Sequence, residues 1–252
     1  MQEDIEFKFP CAEFFVSQQG EGVYSGQVQH FVRLAGCTVG KPLSRFSKEE
    51  QEKLTKAYSD FSRVHNFFPV YTEVCTIAGG RKMFCDTDYR VKERLTAKEI
   101  VARIDPKVKA VCISGGEPMM YPLLPLVDEI HRLDKEVHIE TSGTIPLEKV
   151  FPSFTTRAAV WLTCSPKFGV LPDVVKNANE IKLLIDEDFN PADLLPEILA
   201  HDIIFCQPIN NENSISIPHL RLCLEWQKKY PKWRLSLQLH KILELVLGEH
   251  IR

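Results

Sequence analysis

Three of the eight cysteines in the sequence lie in polar surroundings, where their thiolates could bind a metal. Cys37, Cys75 and Cys85 stand among Gly, Thr, Lys and Asp residues rather than within apolar runs. Three thiolates can hold a [4Fe–4S] cluster that keeps one iron open to a ligand. They can equally hold zinc together with a fourth ligand such as His65. The spacing of the cysteines favours neither metal over the other.

The other cysteines are expected to have structural roles. Cys11 is assigned to this group, and four more lie in or beside apolar stretches, where a cysteine usually packs as a small hydrophobic residue: Cys112, Cys164, Cys206 and Cys223. A disulfide framework is not expected, because the chain has 252 residues and its acidic, mixed N-terminus does not resemble a secretion signal.

A glycine pair follows the apolar run Ala110 to Ile113, in the string Ser114-Gly-Gly-Glu-Pro118. Two adjacent glycines after a strand allow a ligand to approach the backbone closely. The acid that follows them could bind an ammonium or a hydroxyl group. Glycines alone are also typical of an ordinary strand-to-helix turn, and the full string with Glu-Pro is more specific.

Arg33 stands inside an otherwise apolar segment that begins at Phe31. A buried guanidinium needs an anionic partner. That partner is either an internal carboxylate or the carboxylate of a bound ligand, and the sequence leaves both interpretations open.

Short β-like segments recur along the chain and alternate with helix-like stretches. The predicted strands are Glu13–Ser17, Gln29–Leu34, Ala110–Ser114, Val137–Thr141, Ala159–Thr163, Glu180–Ile185, Ile203–Gln207 and Arg234–Leu237. The predicted helices are one opened by the capping box Thr96-Ala-Lys-Glu99 and running through Ile104, followed by Leu123–Leu133, Ala192–Ala200 and Ile217–Lys229. This alternation predicts an α/β fold with parallel strands and crossover helices. Periodicity alone does not separate an open sheet from a closed or partial barrel.

A long segment, Lys41 to Val74, separates Cys37 from Cys75. Its part from Ser47 to Val64 is rich in Lys, Glu and Gln, and it carries apolar residues at helical spacing. We therefore expect an inserted, mostly solvated helix rather than a second domain.

Composition and charge exclude several classes of partner. The chain is 44% hydrophobic and 26% charged, with a net charge of −3, so it has no basic excess typical of nucleic-acid binding. No apolar run approaches the roughly 20 residues that a membrane span needs. We expect a cytoplasmic protein without a nucleic-acid or membrane partner.

A set of strings distributed along most of the chain resembles the 7-carboxy-7-deazaguanine synthase family of the radical S-adenosylmethionine (SAM) superfamily. The matching strings are Ser17-Gln-Gln-Gly-Glu-Gly22, Phe31-Val-Arg-Leu-Ala-Gly-Cys37, Phe84-Cys-Asp-Thr87, Ser114-Gly-Gly-Glu-Pro118, Glu140-Thr-Ser-Gly-Thr144, Ser165-Pro-Lys167, Glu180-Ile-Lys182, Gln207-Pro208 and Leu235-Ser-Leu-Gln-Leu-His-Lys241. Gly-Gly-Glu-Pro indicates only the superfamily. The opening Gln-Gly-Glu-Gly and the closing Gln-x-His-Lys narrow the resemblance to the synthase.

The resemblance implies a lyase that converts 6-carboxy-5,6,7,8-tetrahydropterin to 7-carboxy-7-deazaguanine with loss of ammonia, a step of queuosine-type 7-deazapurine biosynthesis. It implies a modified, incomplete (β/α) TIM-like barrel, formed by a single domain over residues 1–252 with the insertion at about 41–74 in the cluster-binding loop. It also implies a homodimer and an electron donor such as flavodoxin or ferredoxin. The alternatives are another radical SAM activity of the activating-enzyme type, a zinc-binding non-catalytic relative, and a degenerate member that has lost catalysis.

The resemblance also implies which residues form the site. The implied [4Fe–4S] ligands are Cys37, Cys75 and Cys85, and the implied Mg²⁺ ligand is Thr87. The implied substrate-binding residues are Gln18, Gln19, Gly20, Arg33, Ser114, Glu140 and His240, with Glu21 as a weaker candidate. The implied SAM-binding residues are Phe84, Gly116, Glu117, Ser165, Pro166, Lys167, Gln207, Pro208, Ile209 and Asn210. No side chain is expected to act as an acid or base, because the cluster and SAM carry the chemistry.

The chain departs from the usual radical SAM pattern at the second cluster cysteine. Such enzymes usually place three and then two residues between the cysteines, and here Lys41 and Lys82 stand where the middle cysteine is expected. Cys75 is the only cysteine between Cys37 and Cys85. We therefore predict that Cys75 is a displaced second ligand, delivered by the long insertion.

Overall fold

A computed structural model of the chain describes residues 6–55, 73–85, 87–88, 90–152, 159–210 and 215–248. The strands, in chain order, are β1 (Phe9–Gln18), β2 (Val28–Leu34), β3 (Gly40–Pro42), β4 (Glu73–Thr76), β5 (Lys82–Phe84), β6 (Glu93–Leu95), β7 (Ala110–Gly115), β8 (Glu136–Thr141), β9 (Trp161–Cys164), β10 (Glu180–Ile185), β11 (Ile204–Pro208) and β12 (Arg234–Leu235). The helices with defined bounds are Ala97–Val101, Leu124–His131, Pro172–Asn177, Pro196–Leu199, Ile217–Lys229 and Leu239–Leu247.

A nine-stranded sheet runs through the protein in the order β12-β11-β10-β9-β8-β7-β2-β1-β6. Every neighbouring pair from β12 to β2 is parallel, whereas β1 pairs with both β2 and β6 in antiparallel fashion. Helices connect most of the parallel strands. The predicted α/β fold with a parallel sheet is therefore confirmed.

The central strands are buried along their length, as expected for parallel strands covered on both faces. The residues of β7 from Ala110 to Ser114 are all buried, and so are all those of β11. Leu34, Ile139 and Ile181 from neighbouring strands join the same core, and each is fully buried. This packing fixes the carboxyl ends of the parallel strands, which determines where their terminal polar residues lie.

The predicted helices agree with the structure where capping and apolar spacing act together. The helix Ile217–Lys229 has the predicted bounds. The capping box of Thr96 and Glu99 is present, although the helix it opens ends at Val101. The predicted helix over 192–200 is wrong for most of its length. It is replaced by a short 3-10 turn at Pro191–Asp193 and one helical turn at Pro196–Leu199, because a proline interrupts the hydrogen bonding of a helix interior.

A separate three-stranded sheet, in the order β3-β4-β5, forms beside the main sheet. It pairs the two flanks of the insertion, with Gly40 opposite Cys75 and Cys75 opposite Met83. Residues 48–55 are helical, in agreement with the first part of the predicted inserted helix. The rest of that prediction, with Tyr58 and Phe61, and the alternative zinc ligand His65 lie outside the described residues.

No helix in the described part of the chain combines the length and the apolar character needed to cross a bilayer.

Candidate active site at the carboxyl ends of the parallel strands

A cavity of about 230 Å³ opens where β7, β8, β9 and β11 end. It brings together residues that are far apart in the sequence, including Gln18, Gln19, Gly20, Arg33, Cys37, Cys75, Cys85, Thr87, Ser114, Gly116, Glu140, Ser165, Lys167, Gln207, Pro208, Ile209, Asn210 and His240. All the predicted substrate-binding residues and all the predicted cluster and Mg²⁺ ligands therefore line this one space. Of the predicted SAM-binding residues, Phe84, Glu117 and Pro166 are not among its lining residues.

Glu117 has a role inside the protein that the sequence did not show. Its carboxylate is fully buried and accepts hydrogen bonds from Thr141 Oγ1 and from the backbone N of Ser142, both at 2.8 Å, as well as from Ser142 Oγ. It also caps its own turn by accepting from Met119 N at 3.0 Å. Glu117 thus ties the turn after β7 to the end of β8, and both Thr141 and Ser142 line the cavity.

The glycine pair packs against protein backbone as well as lining the cavity. A Cβ atom at Gly115 would lie 2.1 Å from Leu34 O, and one at Gly116 would lie 1.8 Å from Gly36 O. Gly115 also has a φ of 120°, which side chains disfavour. The absence of side chains therefore lets the turn after β7 contact the segment that carries Cys37.

The three predicted cluster cysteines lie on or beside the small sheet. The Cys37 sulfur accepts hydrogen bonds from the backbone N of Val39 at 3.4 Å and of Gly40 at 3.3 Å. Cys75 lies in β4 opposite Gly40, and Cys85 directly follows β5. Thiols are the donor type that an iron–sulfur cluster takes. Within the described ranges, however, no three His, Cys, Asp or Glu side chains form a group close enough to hold a metal ion.

A buried ion-pair network forms one wall of the cavity. Lys182, whose side chain is 5% exposed, forms an ion pair with Glu21 and lies 3.5 Å from Glu140 Oε1. Glu21 Oε1 also accepts from the amides of Gln207, at 2.9 Å, and Gln238, at 3.0 Å. Two carboxylates and one ammonium leave this wall with a net negative charge, held in place by amide donors.

The network shifts the pKa values of its members. Burial acts to raise the pKa of Glu21, but the neighbouring Lys182 ammonium outweighs it and lowers this pKa to about 2. Burial acts to lower the pKa of Lys182, but Glu140 and Glu21 together raise it above its ordinary value. Glu21 and Lys182 are therefore both charged at neutral pH.

Two other predicted substrate-binding residues have contacts within the protein. Arg33 Nη1 lies 3.0 Å from Glu13 Oε2, and its guanidinium stacks over the Phe15 ring at 5.0 Å. The internal ion pair that the sequence left open is thus present, while Arg33 also lines the cavity. His240 packs directly on Gly20, where a Cβ atom would lie 2.3 Å from His240 Nδ1.

The loops after β9 and β11 add further polar groups to the cavity lining. Ser165 N donates to Thr141 O at 2.8 Å, and Lys167 N donates to Ser142 O at 3.2 Å. Asn210 Nδ2 donates to Gln238 Oε1 at 3.3 Å. The first two bonds fix the backbone of the loop after β9, the third orients the Asn210 side chain, and both Lys167 and Asn210 line the cavity.

Sequence reasoning missed Lys182, Gln238 and Ser142 as parts of the site. Lys182 and Gln238 both belong to strings that carried the family resemblance. A lysine inside the apolar segment Glu180–Ile185 was the available signal, because a buried ammonium requires anionic partners. Glu21, considered a weaker candidate, lies at the centre of the network.

Comparisons with known proteins agree on one family. No family model matches the chain. The 7-carboxy-7-deazaguanine synthase of Buchnera aphidicola subsp. Schizaphis graminum is 32% identical over 248 residues, which cover 94% of this chain and 99% of the relative. The enzyme of the same name from Bacteroides thetaiotaomicron is 29% identical over 236 residues, which cover 92% of this chain and 96% of the relative.

The fold comparison gives the same result. The crystal structure of QueE from Escherichia coli matches with a TM-score of 0.60 and 25% identity, over 92% of this chain and 95% of that chain. The class defined by fold and site is an α/β protein with a cysteine-lined cavity at the carboxyl ends of its parallel strands. The chain belongs to the 7-carboxy-7-deazaguanine synthase family, which confirms the family that the motifs predicted.

Proposed function

We propose that the protein is a radical SAM lyase that converts 6-carboxy-5,6,7,8-tetrahydropterin to 7-carboxy-7-deazaguanine with loss of ammonia. The observation that carries this proposal is that one cavity is lined by three cysteines together with polar residues suited to a pterin and to SAM. Family membership supplies the reaction. The structural contribution of the chain is to orient the two ligands and to exclude water.

Cys37, Cys75 and Cys85 would hold a [4Fe–4S] cluster. When bound, the cluster supplies the electron for reductive cleavage of SAM, and SAM supplies the radical that abstracts hydrogen from the substrate. The backbone N–H groups of Val39 and Gly40 hold the Cys37 sulfur in position at the cavity. The separate β3-β4-β5 sheet places Cys75 on the same cavity in spite of the long insertion.

The SAM-binding side would be formed by the loops after β7, β9 and β11. Lys167 is a suitable partner for the SAM carboxylate, with Ser165 beside it. Gly116 and the segment Gln207 to Asn210 line the remainder of this side. We assign Glu117 a positioning role through Ser142, because its oxygens already accept hydrogen bonds from the protein.

The substrate-binding side would match the charge and the donors of the pterin. Gln18, Gln19 and Gly20 line the cavity beside Glu140, and Gln19 Nε2 donates to Glu140 Oε1 at 3.2 Å. The acceptors on this wall suit the N–H groups of a guanine-like ring. Arg33 would bind the substrate carboxylate, with His240 packing against the ring.

Further features of the proposal come from the family resemblance. Thr87, which lines the cavity, would bind Mg²⁺ through its hydroxyl, since this ion prefers oxygen ligands and retains several waters. The parallel sheet would form an incomplete (β/α) barrel within a single domain over residues 1–252, with its insertion at about 41–74. A cytoplasmic homodimer that receives electrons from a flavodoxin or a ferredoxin completes the proposal.

The test is turnover under anaerobic conditions. Reconstituted protein is mixed with SAM, a strong reductant, Mg²⁺ and 6-carboxytetrahydropterin, and the products are followed by mass spectrometry. We expect 7-carboxy-7-deazaguanine from the wild type and neither product nor a full iron content from Cys75→Ala. Cys11→Ala serves as the control, because Cys11 is fully buried in β1 and does not contribute to the cavity lining.

Three other outcomes would contradict parts of the proposal. Cleavage of SAM without change of the pterin would refute the substrate and retain the superfamily. A colourless protein that binds zinc would refute the cluster. Full cluster and activity in Cys75→Ala would refute Cys75 as the second ligand.

A further inference from the structure

The hairpin of β4 and β5 carries two of the three cavity cysteines. Cys75 lies in β4, and Cys85 follows β5. The turn between the strands is closed by hydrogen bonds from Ile77 N to Arg81 O at 2.8 Å and from Gly80 N to Ile77 O at 3.0 Å. The position of both cysteines therefore depends on how this turn is fixed to the main sheet.

Arg81 joins the turn to the carboxyl end of β10. Its Nη1 forms an ion pair with Asp186, and its Nη2 donates to Leu184 O at 2.9 Å. Its Nε donates to Ala78 O within the turn at 3.2 Å, and its guanidinium lies over the Phe189 ring at 5.2 Å. One planar group thus binds the hairpin on one side and the main sheet on the other.

The Arg81–Asp186 pair is shielded from water. The side chains are 10% and 15% exposed, and breaking one partner of such a pair leaves an uncompensated charge in the interior. The hairpin also contacts the loop after β9 through backbone groups, from Phe168 N to Thr76 O at 3.1 Å and through the bridge between Ile77 and Lys167. The side chains of Ile77 and Cys75 belong to a small apolar cluster, against which Leu184 and Ile209 pack. Arg81 adds to this apolar contact a charged, hydrogen-bonded link between the turn and the end of β10.

We propose that the Arg81–Asp186 ion pair is a positioning device that holds Cys75 and Cys85 at the cavity. This inference rests on the proposed function, because it assigns the two thiols to a cluster. Because the insertion lengthens the segment between Cys37 and Cys75, the position of Cys37 does not determine where the other two cysteines lie. The fixed hairpin instead holds Cys75 and Cys85 at the cavity. Arg81 touches neither substrate nor cluster in this arrangement and acts through the hairpin.

The test compares Arg81→Ala, Arg81→Lys and Asp186→Asn with wild-type protein reconstituted without oxygen. The rate at which iron passes to a ferrous chelator is measured, together with iron content and the visible absorption of the cluster. We expect iron release to be about tenfold faster in Arg81→Ala and Asp186→Asn. Arg81→Lys should be intermediate, because lysine keeps the charge and loses the planar, multiple hydrogen bonding.

Arg103→Ala is the matched control. Arg103 also pairs with a carboxylate, that of Glu93, and its guanidinium lies over Phe14 at 5.2 Å, but its side chain is 42% exposed and no cysteine ligand is near it in the chain. We expect Arg103→Ala to release iron at the wild-type rate.

A second readout needs no cluster. In metal-free protein, the rate of alkylation of Cys75 and Cys85 by iodoacetamide is measured by peptide mapping, and it should rise in Arg81→Ala and not in Arg103→Ala.

Wild-type rates of both iron release and alkylation in a folded Arg81→Ala would overturn the inference. If wild type binds no cluster but alkylation rises in Arg81→Ala, the proposed function fails and the anchoring of the hairpin stands. Should Arg81→Ala not fold, Asp186→Asn decides by the same two rates, because it preserves side-chain volume and the Leu184 contact.

Discussion

Replacing Lys182 with methionine should destabilise the protein, because it removes the ammonium group that forms ion pairs with both Glu21 and Glu140. The pKa of Glu21 lies at about 2 instead of the ordinary 4.5, against the opposing effect of burial. This difference corresponds to about 3 kcal/mol, at about 1.36 kcal/mol for each pH unit. Breaking a buried pair by removing one partner typically costs about 3–5 kcal/mol. The two estimates agree. A typical protein has a free energy of unfolding of about 5–15 kcal/mol, so a loss of this size is a large part of it.

The assay is urea unfolding of the metal-free protein, with Lys176→Met as the matched control. Lys176 Nζ lies 3.5 Å from Glu197 Oε1, the same separation as between Lys182 and Glu140, but the Lys176 side chain is 63% exposed. Exposed pairs contribute below about 1 kcal/mol. We therefore expect a loss of about 3–5 kcal/mol for Lys182→Met and almost none for Lys176→Met. Equal losses in the two variants would refute the argument from burial.

Urea unfolding at several pH values separates the contribution of the Lys182 charge from that of its packing. In wild type the contribution of Glu21 is fully present above pH 4.5 and is lost as the pH falls through about 2, because its folded-state pKa is depressed. Without Lys182, burial raises the pKa of Glu21. Protonation of Glu21 then removes its repulsion with Glu140. The difference in free energy of unfolding between wild type and Lys182→Met should therefore shrink as the pH is lowered from neutral towards 4.5. A difference that stays constant over this range would assign the loss to packing.

Two further substitutions test local features of the fold. Gly116→Ala would place a Cβ atom 1.8 Å from Gly36 O, so we expect a loss of about 1–3 kcal/mol in thermal unfolding and a lower iron content after reconstitution. An unchanged transition temperature in Gly116→Ala would contradict the packing argument. Thr96→Ala removes the side-chain half of the capping box with Glu99 and should cost about 1 kcal/mol in urea unfolding; an unchanged midpoint would show that the box does not stabilise the helix.

The sequence predicted those elements whose signals are local. The capping box at Thr96 and the helix Ile217–Lys229 are set by side chains within one or two turns, and both are present. The strand Glu180–Ile185 also has the predicted bounds, because its apolar run is short and bounded on both sides. The β3-β4-β5 sheet was not predicted, since it pairs short segments on either side of a long insertion, and no local pattern indicates which residues lie opposite each other.

The sequence predicted which residues form the site better than it predicted the ion pairs and hydrogen bonds between them. Motif strings identified most residues that line the cavity. They did not show that Lys182 joins Glu21 to Glu140, because these ion-pair partners lie 161 and 42 positions apart in the chain. They also did not show that the Glu117 carboxylate accepts hydrogen bonds from Thr141 and Ser142. Such pairings depend on which strand ends the sheet brings together, which is a property of the topology.

The sequence left open whether Arg33 pairs with a carboxylate of the protein or with that of a ligand, and its position in the structure is compatible with both. Its ion pair with Glu13 and its stacking on Phe15 orient the guanidinium at the cavity. The Glu13 side chain is 40% exposed whereas that of Arg33 is 16% exposed, so Glu13 can return to water at little cost while Arg33 stays in place. A guanidinium offers more donors than one carboxylate oxygen can accept. The internal pair therefore orients the Arg33 guanidinium at the cavity rather than removing it from the site, as the proposed role in binding a substrate carboxylate requires.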